Sequence, residues 1–233
     1  VTTTANGNGV DFIVFDDADI DAAVIGAMIS KYRNSGQTCV CANRLFVQAG
    51  IYEEFTKKLA EQVRAIKIGN GLEEGVMQGP LISQSAADNA EALVADAKSK
   101  GATVLCGGQR VEAGRNFFEP TILTDVNNDM RVADEEIFGP IAPIFKFETD
   151  EEGIALANCT EYGLAGYFYS RDIGRVWRVA EALEVGMVGV NTGMLTTELA
   201  PFGGVKESGL GREGSKYGIE EYVDTKYICL DIN

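Results

Sequence analysis

Two cysteines one residue apart are the side chains of this sequence best suited to chemistry. Cys39 and Cys41 lie within NSGQTCVCANR, residues 34–44, where Val40 is the only large apolar side chain. Such thiols can act as a nucleophile, as a redox or metal pair, or as small buried hydrophobes. The polar, glycine-flanked setting between a predicted helix and a predicted strand favours the nucleophile, because catalytic groups are common on loops that a rigid scaffold positions.

The chain contains no histidine, which removes the usual partner of a catalytic cysteine or serine. A Cys–His dyad and a Ser–His–Asp triad are therefore excluded within this chain. A thiolate at Cys39 must instead be favoured by backbone N–H groups, by a helix end or by a nearby cation. Arg33 and Arg44 are close to it in sequence.

A metal site or a disulfide is a weaker interpretation of the cysteine pair. A tetrahedral metal site needs two more ligands, and Cys106, Cys159 and Cys229 are isolated, so we predict no metal. A Cys39–Cys41 disulfide would be strained, since neighbouring strand residues point to opposite faces, and would serve as a redox switch. The odd and scattered cysteines favour a reducing compartment, either the cytoplasm or the mitochondrial matrix.

Two further stretches combine polar residues with tight turns. DEEIFGP, residues 134–140, is by default a solvated acidic face or a helix cap; alternatively, it places a carboxylate beside Phe138 to bind a polar ligand. PFGG and SGLGREG, within residues 201–218, form a glycine-dense loop that lets a ligand or another backbone approach closely. This loop lacks the strand-flanked GxGxxG layout of a dinucleotide site.

The composition is that of an ordinary globular protein with an acidic surface. The 233 residues are 45% hydrophobic and 24% charged, and the formal net charge is −15. This charge makes nucleic acid and anionic membrane surfaces poor partners. No apolar run approaches the ~20 residues of a membrane span. The start, VTTTANGNGV, has neither the basic nor the apolar part of a signal peptide.

Helical and extended segments alternate along the chain, which predicts an α/β fold with parallel βαβ units. Strands are predicted at FIVF, RLFVQ, TVLC, LAGYFYS and MVGVN, and Asp17 or Asp19 is expected to cap the first helix. We divide the chain into an irregular start at residues 1–11, a main domain at residues 12–200, and a glycine-rich loop with a C-terminal extension at residues 201–233.

Taken together, the motifs resemble the catalytic half of the NAD(P)-dependent aldehyde dehydrogenases. The resemblance rests on GQTCVCANR, QGPLIS, FFEPTIL, EEIFGPIAP, GLAGYFYS, GMVGVNTG and PFGGVKESGLGREGSKYGIEEYV, which occur in that order. It runs from about Phe12 to the end of the chain. The double cysteine, GYFYS and SGLGREGSKYG make it closest to the members that oxidise succinate semialdehyde. The resemblance implies a three-layer catalytic domain built on a parallel sheet.

The resemblance implies roles in catalysis and cofactor binding for three residues. Cys39 falls on the nucleophile, whose thiolate attacks the aldehyde carbon; hydride transfer to the nicotinamide then leaves a thioester that water hydrolyses. The backbone N–H of Cys39 falls on half of an oxyanion hole. Glu136 falls on the residue that holds the nicotinamide ribose, and Phe138 on the residue beside the nicotinamide.

Substrate binding and redox control are implied at three further positions. Arg33 falls on an arginine that binds the distal carboxylate of succinate semialdehyde, and a guanidinium matches a carboxylate through two parallel hydrogen bonds. Thr196 falls on a serine that assists this arginine, so the hydroxyl is kept. Cys41 falls on a second cysteine that pairs reversibly with the nucleophile in some members.

The resemblance also implies parts that this sequence does not supply. The family places a Rossmann-type cofactor domain before this region, its general base falls on Ala5, and its usual proline falls on Asp11. We therefore expect NAD or NADP to be used by a longer parent and not to be bound by this chain alone. The family's terminal strand adds to a neighbouring subunit, which predicts a homo-oligomer, either a dimer or a tetramer.

Two hypotheses of different classes follow. The first is the catalytic domain of an oxidoreductase that converts a small aldehyde-acid to a diacid and is inactive in isolation. The second is a non-catalytic interaction or scaffold module that retains the same fold. They differ in whether Cys39 is more reactive than Cys106 or Cys159. A cysteine hydrolase ranks below both because its histidine is absent.

Overall fold

The computed structural model describes residues 9–111, 114 and 116–232, and it has the expected α/β architecture. The strands are β1 Val10–Val14, β2 Arg44–Gln48, β3 Thr103–Cys106, β4 Thr121–Thr124, β5 Ile141–Phe147, β6 Tyr162–Gly163, β7 Ala165–Tyr169, β8 Met187–Val190 and β9 Val205–Lys206. The helices are α1 Ile20–Tyr32, α2 Tyr52–Arg64, α3 Gln84–Ser99, α4 Arg131–Asp134, α5 Asp150–Asn158 and α6 Ile173–Ala182.

Seven strands form one sheet in the order β3-β4-β5-β2-β1-β7-β8. All neighbours are parallel except β3, which runs antiparallel to β4 at the edge. β1 lies inside the sheet, next to the central strand β2, and its Phe12 pairs with Leu45 of β2 and with Tyr167 of β7. Every residue of β1, β2 and β7 is buried, as expected for parallel strands that are covered on both faces.

Helices cover both faces of the sheet and make three layers. Because successive strand residues point to opposite faces, Phe12 packs in one cluster with Leu59 of α2, while Ile13 packs in another with Ala157 of α5 and Val179 of α6. α1 shares the first face with α2. A third cluster joins α3 to β4 near the sheet edge.

α1 is placed by its cap and by one glycine. The Asp19 carboxylate accepts a hydrogen bond from the Ala22 N–H at 3.1 Å, so Asp19 and not Asp17 caps this helix. A Cβ on Gly26 would lie 1.9 Å from the Tyr169 hydroxyl oxygen, so only glycine lets α1 approach β7 this closely. The chain leaving α1 therefore returns to the sheet at the amino end of β2.

Three features differ from the sequence prediction or go beyond it. β1 begins at Val10, before Phe12. β5 was not predicted, because Pro143 argues against an internal strand, yet β5 pairs with both β2 and β4. In the described structure, residues 223–232 form no helix or strand and are exposed, so their role as an oligomerisation strand stays a prediction.

Among the described residues, no helix combines the length and apolarity needed to cross a bilayer.

A buried ion pair joins β1 and β2. The Arg44 guanidinium donates to both carboxylate oxygens of Asp11 at 2.8 and 3.0 Å, and it donates to the Ala157 carbonyl at 3.2 Å. The guanidinium carbon of Arg44 also lies 5.2 Å from the centroid of the Phe46 ring. Burial raises the pKa of the Asp11 carboxyl, and the Arg44 charge opposes that rise. Asp11, where the resemblance places a proline, therefore supplies the negative charge that balances the buried Arg44.

Replacing Asp11 with alanine leaves the Arg44 charge buried without its anion. We expect Asp11→Ala to lower the free energy of unfolding by about 3 to 5 kcal/mol, measured by urea denaturation. Asp21→Ala is the matched control, because Asp21 pairs with Lys58 at 2.7 Å on the surface. Its cost should stay below about 1 kcal/mol. Equal costs for the two variants would contradict this account of Arg44.

Candidate active site

The chain reverses sharply after α1 through three consecutive left-handed residues. Asn34, Ser35 and Gly36 have φ of 52°, 59° and 74°. Asparagine and glycine tolerate this region, whereas a serine there is strained and must be held by its surroundings. The Ser35 hydroxyl donates to the Gly79 carbonyl at 3.3 Å, and the Asn34 amide donates to the Gln37 carbonyl at 2.9 Å. The turn thus returns the chain to the end of α1, where the Ala42 N–H donates to the Ser30 carbonyl at 3.1 Å.

This turn is packed directly against residues 135–139. A Cβ on Gly36 would lie 2.2 Å from the Gly139 carbonyl oxygen, so the two backbones touch. The Asn43 amide donates to the Glu135 carbonyl at 3.2 Å and accepts from the Ile137 N–H at 2.9 Å. Because β2 and β5 are neighbours in the sheet, the loops that precede them are brought side by side. Two motifs that are far apart in sequence therefore form one site.

The two cysteines occupy different environments within the turn. Cys39 is partly exposed, whereas Cys41 is buried, and its thiol donates to the Arg33 carbonyl at 3.6 Å. Both are free thiols. The Tyr167 hydroxyl donates to the Val40 carbonyl at 2.9 Å and so holds the residue between them. Neither cysteine lies in a strand, so the strand argument against a disulfide was wrong.

The acidity of Cys39 is set by opposing influences. Burial raises the pKa of its thiol, and negative charge at Cys41 and Glu136 raises it further. The N–H groups of Cys39 and Val40 lie at the sulfur and lower the pKa in part. Backbone donors are thus present, as the absence of histidine requires. The net effect is a raised pKa of the Cys39 thiol.

The three carboxylates of DEEIFGP have different surroundings. Glu135 is engaged by Arg131 through two contacts of 2.6 and 2.8 Å, so it is structural. Glu136 is partly buried, and its negative charge raises the pKa of the Cys39 thiol. Phe138 is 42% exposed and has φ of 41°, a strained value for an aromatic residue. The charge of Glu136 thus acts on Cys39, and the roles of Glu136 and Phe138 at the nicotinamide end of the cofactor stay predictions.

Arg33 follows α1 and lines a surface cavity of about 290 Å³. The other lining residues are mostly apolar: Met28, Ile29, Tyr32, Ile66, Met77 and Gln78. Cys39 is not part of this lining in the described structure. Arg33 is the one charged residue of this lining, and a guanidinium with apolar neighbours suits a short aliphatic chain with an anionic end.

Thr196 is exposed in the loop after β8. This loop lies against α1, because a Cβ on Gly193 would meet the Gly26 carbonyl oxygen at 2.2 Å. Within the described chain no hydrogen bond joins Thr196 to Arg33, so its assisting role stays a prediction. Ala5, the position of the general base, lies outside the described residues.

The glycine-rich loop serves internal packing. A Cβ on Gly186 would lie 2.0 Å from the Gly203 carbonyl oxygen, so the loop presses on the chain entering β8. Phe202 and Glu213 exchange two backbone hydrogen bonds of 2.8 and 2.7 Å across it. The close approach predicted for these glycines is therefore made by the protein's own backbone. The described residues contain no group of three or more side chains suited to a metal ion.

Lys31 is a buried charged residue near the cysteine turn in sequence that the sequence reasoning missed. It lies in the last turn of α1 and is only 1% exposed. Burial lowers the pKa of its ammonium to about 8, and negative charge at Cys41 and Glu136 partly opposes that shift. The available signal was a lysine two residues before Arg33 at the end of a helix. Lysines there usually point to solvent, so the pattern indicated nothing unusual.

A family model described as "Aldehyde dehydrogenase family" matches residues 3–228. The chain belongs to the aldehyde dehydrogenase family. The match begins before Phe12, where the resemblance in sequence was taken to begin.

Known aldehyde dehydrogenases are similar over nearly the whole chain. A 3-sulfolactaldehyde dehydrogenase of Pseudomonas putida is 61% identical over 224 residues, which are 96% of this chain and 46% of the relative. Succinate-semialdehyde dehydrogenase [NADP(+)] of Escherichia coli is 58% identical over 226 residues, 97% of this chain and 47% of the relative.

A solved structure supports the same assignment of fold. The crystal structure of succinate-semialdehyde dehydrogenase from Burkholderia pseudomallei matches with a TM-score of 0.94 and 60% identity, and the match covers 96% of this chain and 46% of that one. The three-layer fold is thus confirmed as that of an aldehyde dehydrogenase. The chain spans about half the length of the relatives it matches.

The buried ammonium of this aldehyde dehydrogenase chain should make stability depend on pH. The pKa of Lys31 is about 8 in the folded state, against an ordinary value of 10.5. Between these two pH values the unfolded state binds more protons than the folded state, so the free energy of unfolding rises with pH. We expect Lys31→Met to raise the free energy of unfolding below pH 8 by up to about 3 kcal/mol. The gain should disappear as pH approaches 10.5.

Urea denaturation of both proteins across this range measures the effect. Lys57→Met, at an exposed position of α2, is the control and should change stability by less than about 0.5 kcal/mol at any pH. A difference between Lys31→Met and the parent that does not vary with pH would contradict the prediction.

Proposed function

We propose that this chain is the catalytic domain of an enzyme that oxidises a small aldehyde bearing a second, anionic group, with NAD or NADP as the hydride acceptor. The observation that carries the proposal is the close packing of the Cys39 turn on residues 135–139, with Arg33 at the start of that turn. This packing supports a proposal in which a nucleophile, a partly buried carboxylate and a guanidinium act on one substrate.

Cys39 supplies the covalent step in this proposal. Its thiolate sulfur adds to the aldehyde carbon, and the carbonyl oxygen becomes an oxyanion near the backbone N–H of Cys39. The bound cofactor supplies a hydride acceptor. Loss of hydride from the former aldehyde carbon leaves a thioester on Cys39, and attack by water releases the acid and regenerates the thiol.

Glu136 and Phe138 suit the nicotinamide end of the cofactor. A partly buried carboxylate can accept hydrogen bonds from the two hydroxyls of a ribose, and an exposed ring on a strained turn offers a flat apolar surface. The resemblance places the rest of the cofactor site in a domain that precedes this region in the family. We therefore propose that a longer parent completes the cofactor site and that this chain alone binds no cofactor.

Arg33 accounts for the anionic group in the proposed substrate. The names of the relatives specify a sulfonated and a carboxylated aldehyde as substrates of those proteins. A guanidinium in a cavity of about 290 Å³ with mainly apolar walls can bind either anion. Succinate semialdehyde, with two methylenes between aldehyde and carboxylate, is the substrate that we propose for the parent enzyme.

Alkylation of the free thiols tests the nucleophile and the substrate together. Iodoacetamide labelling with peptide mapping compares Cys39 with Cys106, which is the matched control because it is also partly buried and burial also raises its pKa. We expect succinate semialdehyde to protect Cys39 and to leave Cys106 unaffected. Arg33→Ala should raise the protecting concentration about tenfold or more, since it removes a charged hydrogen bond.

Butyraldehyde, which lacks the carboxylate, is the ligand control, and Arg33→Ala should leave its protection unchanged. If Cys39 labels no faster than Cys106 and no aldehyde protects it, the catalytic proposal fails. The non-catalytic module with the same fold is then the better account. If both aldehydes protect Cys39 and Arg33→Ala has no effect, Cys39 retains its proposed role as the nucleophile, and Arg33 is not involved in substrate binding.

We also expect the isolated chain not to turn over. The general-base position is Ala5, and the chain corresponds to about half of its relatives. The assay supplies succinate semialdehyde with NAD or with NADP and follows the absorbance of the reduced cofactor. Its rate of formation should stay at the level of a Cys39→Ser control. Production above that level would show that the 233 residues contain a complete active site.

A further inference from the structure

Gln37, two residues before Cys39, forms hydrogen bonds with both polar atoms of its side-chain amide. Its Oε1 accepts from the Ile82 N–H at 2.8 Å, and its Nε2 donates to the Asn34 carbonyl at 3.2 Å. The amide has one orientation, because a backbone N–H only donates and a carbonyl only accepts. Gln37 thus joins the cysteine turn to a segment 45 residues further along the chain.

The backbone of Gln37 also closes the turn onto itself. Its N–H donates to the Asn34 carbonyl at 3.1 Å, and its carbonyl accepts from the Asn34 side-chain amide at 2.9 Å. Asn34 and Ser35 have φ of 52° and 59°, a left-handed conformation that persists where surrounding contacts enforce it. Gln37 supplies several of these contacts.

The segment that receives Gln37 is itself anchored in the protein interior. Leu81 is 2% exposed and packs in the cluster that joins α3 to β4, and its N–H donates to the Asn116 carbonyl at 2.8 Å. The Ser35 hydroxyl donates to the Gly79 carbonyl at 3.3 Å, close to the Gln37 contact in sequence. Residues 79–82 are therefore a fixed wall, to which two side chains of the turn are bonded.

Cys39 lies between this anchor and a second one. After it, the Val40 carbonyl accepts from the buried Tyr167 hydroxyl at 2.9 Å, which fixes that side of the turn to β7. Before it, Gln37 is the nearest residue whose side chain bonds to another segment of the described chain. The position of Cys39 is thus set from both sides, once by the sheet and once by Gln37.

The contact of Gln37 also reaches the cavity that Arg33 lines. Arg33 directly precedes the turn, and Met77 and Gln78 directly precede residues 79–82; all three line this cavity. The hydrogen bond between Gln37 and Ile82 therefore holds together the two segments that form the cavity walls. One amide connects the position of the thiol with the shape of the cavity.

We propose that Gln37 is a positioning residue that holds Cys39 in its reactive conformation by fixing the cysteine turn to residues 79–82. This inference rests on the proposed function, because it takes Cys39 as the reacting thiol. It adds a residue for which the sequence resemblance implied no role. Gln37 acts through the backbone: the N–H groups of Cys39 and Val40 lie at the sulfur only while the turn keeps its shape.

The experiment measures the rate of iodoacetamide labelling at Cys39, by peptide mapping, in the 233-residue chain from about pH 7 to about pH 10. Gln37→Leu removes both side-chain hydrogen bonds at similar volume. We expect it to slow labelling about threefold to tenfold at pH 7, the effect of one weakened hydrogen bond to the thiolate. The difference should narrow toward pH 10, and Cys106 labelling should not change.

Gln48 offers a matched control in the same chain. Its Oε1 accepts from the Asp16 N–H at 2.9 Å and its Nε2 donates to the Glu148 carbonyl at 2.9 Å, so it also bridges two segments. It ends β2, whereas the cysteine turn precedes β2. Gln48→Leu should lower the unfolding midpoint at least as much as Gln37→Leu, because Gln48 is more buried, and should leave Cys39 labelling unchanged.

Equal Cys39 rates in the parent and Gln37→Leu would overturn the inference, as would equal slowing in Gln48→Leu. Slowing by the same factor at every pH would overturn it too, because altered access of the reagent does not depend on pH. If Gln37→Leu does not fold, Gln37→Asn, whose amide is one methylene too short to reach Ile82, decides the question by the same pH profile.

These measurements use no aldehyde, so they are separate from the test of the proposed function. If Gln37→Leu slows labelling as expected but no aldehyde protects Cys39, the proposed function fails and the positioning of the thiol by Gln37 stands. If an aldehyde protects Cys39 but Gln37→Leu labels like the parent, only the inference about Gln37 fails.

Discussion

The amide of Asn43 is the contact on which the geometry of this site depends. It follows the cysteine turn, its backbone N–H donates to the Val10 carbonyl of β1, and its side chain bonds to the backbone on both sides of Glu136. One buried residue therefore ties the turn, the sheet and the carboxylate loop together. The touching backbones of Gly36 and Gly139 complete the contact, and any larger side chain at position 36 would separate the loops.

The site also shows how a thiol can be positioned in a chain without histidine. Backbone N–H groups at Cys39 favour a thiolate, whereas burial and the neighbouring acids oppose it. Lys31, in the last turn of α1, is buried as well, and burial lowers the pKa of its ammonium to about 8. Burying an ammonium costs stability, and functional sites are where such costs are commonly found.

Much of the fold followed from local patterns, and the exceptions have physical causes. The strand at FIVF, the strand at RLFVQ and the Asp19 cap were predictable, since they depend on neighbouring residues alone. β5 was missed because Pro143 interrupts its apolar run, although parallel neighbours on both sides hold it in the sheet. Asp11 was noted only as a departure from the family pattern, yet it neutralises Arg44 inside the protein.

The sequence by itself determined the α/β class, the family and the identity of Cys39, Glu136, Phe138 and Arg33 as candidates. These rest on residue types in a fixed order, which a sequence records directly. Only the tertiary structure decided that the loops touch, that Cys41 is buried while Cys39 is partly exposed, and that Lys31 is buried at the end of α1. The reason is that burial and electrostatic influence depend on distances between segments that the order of strands in the sheet brings together.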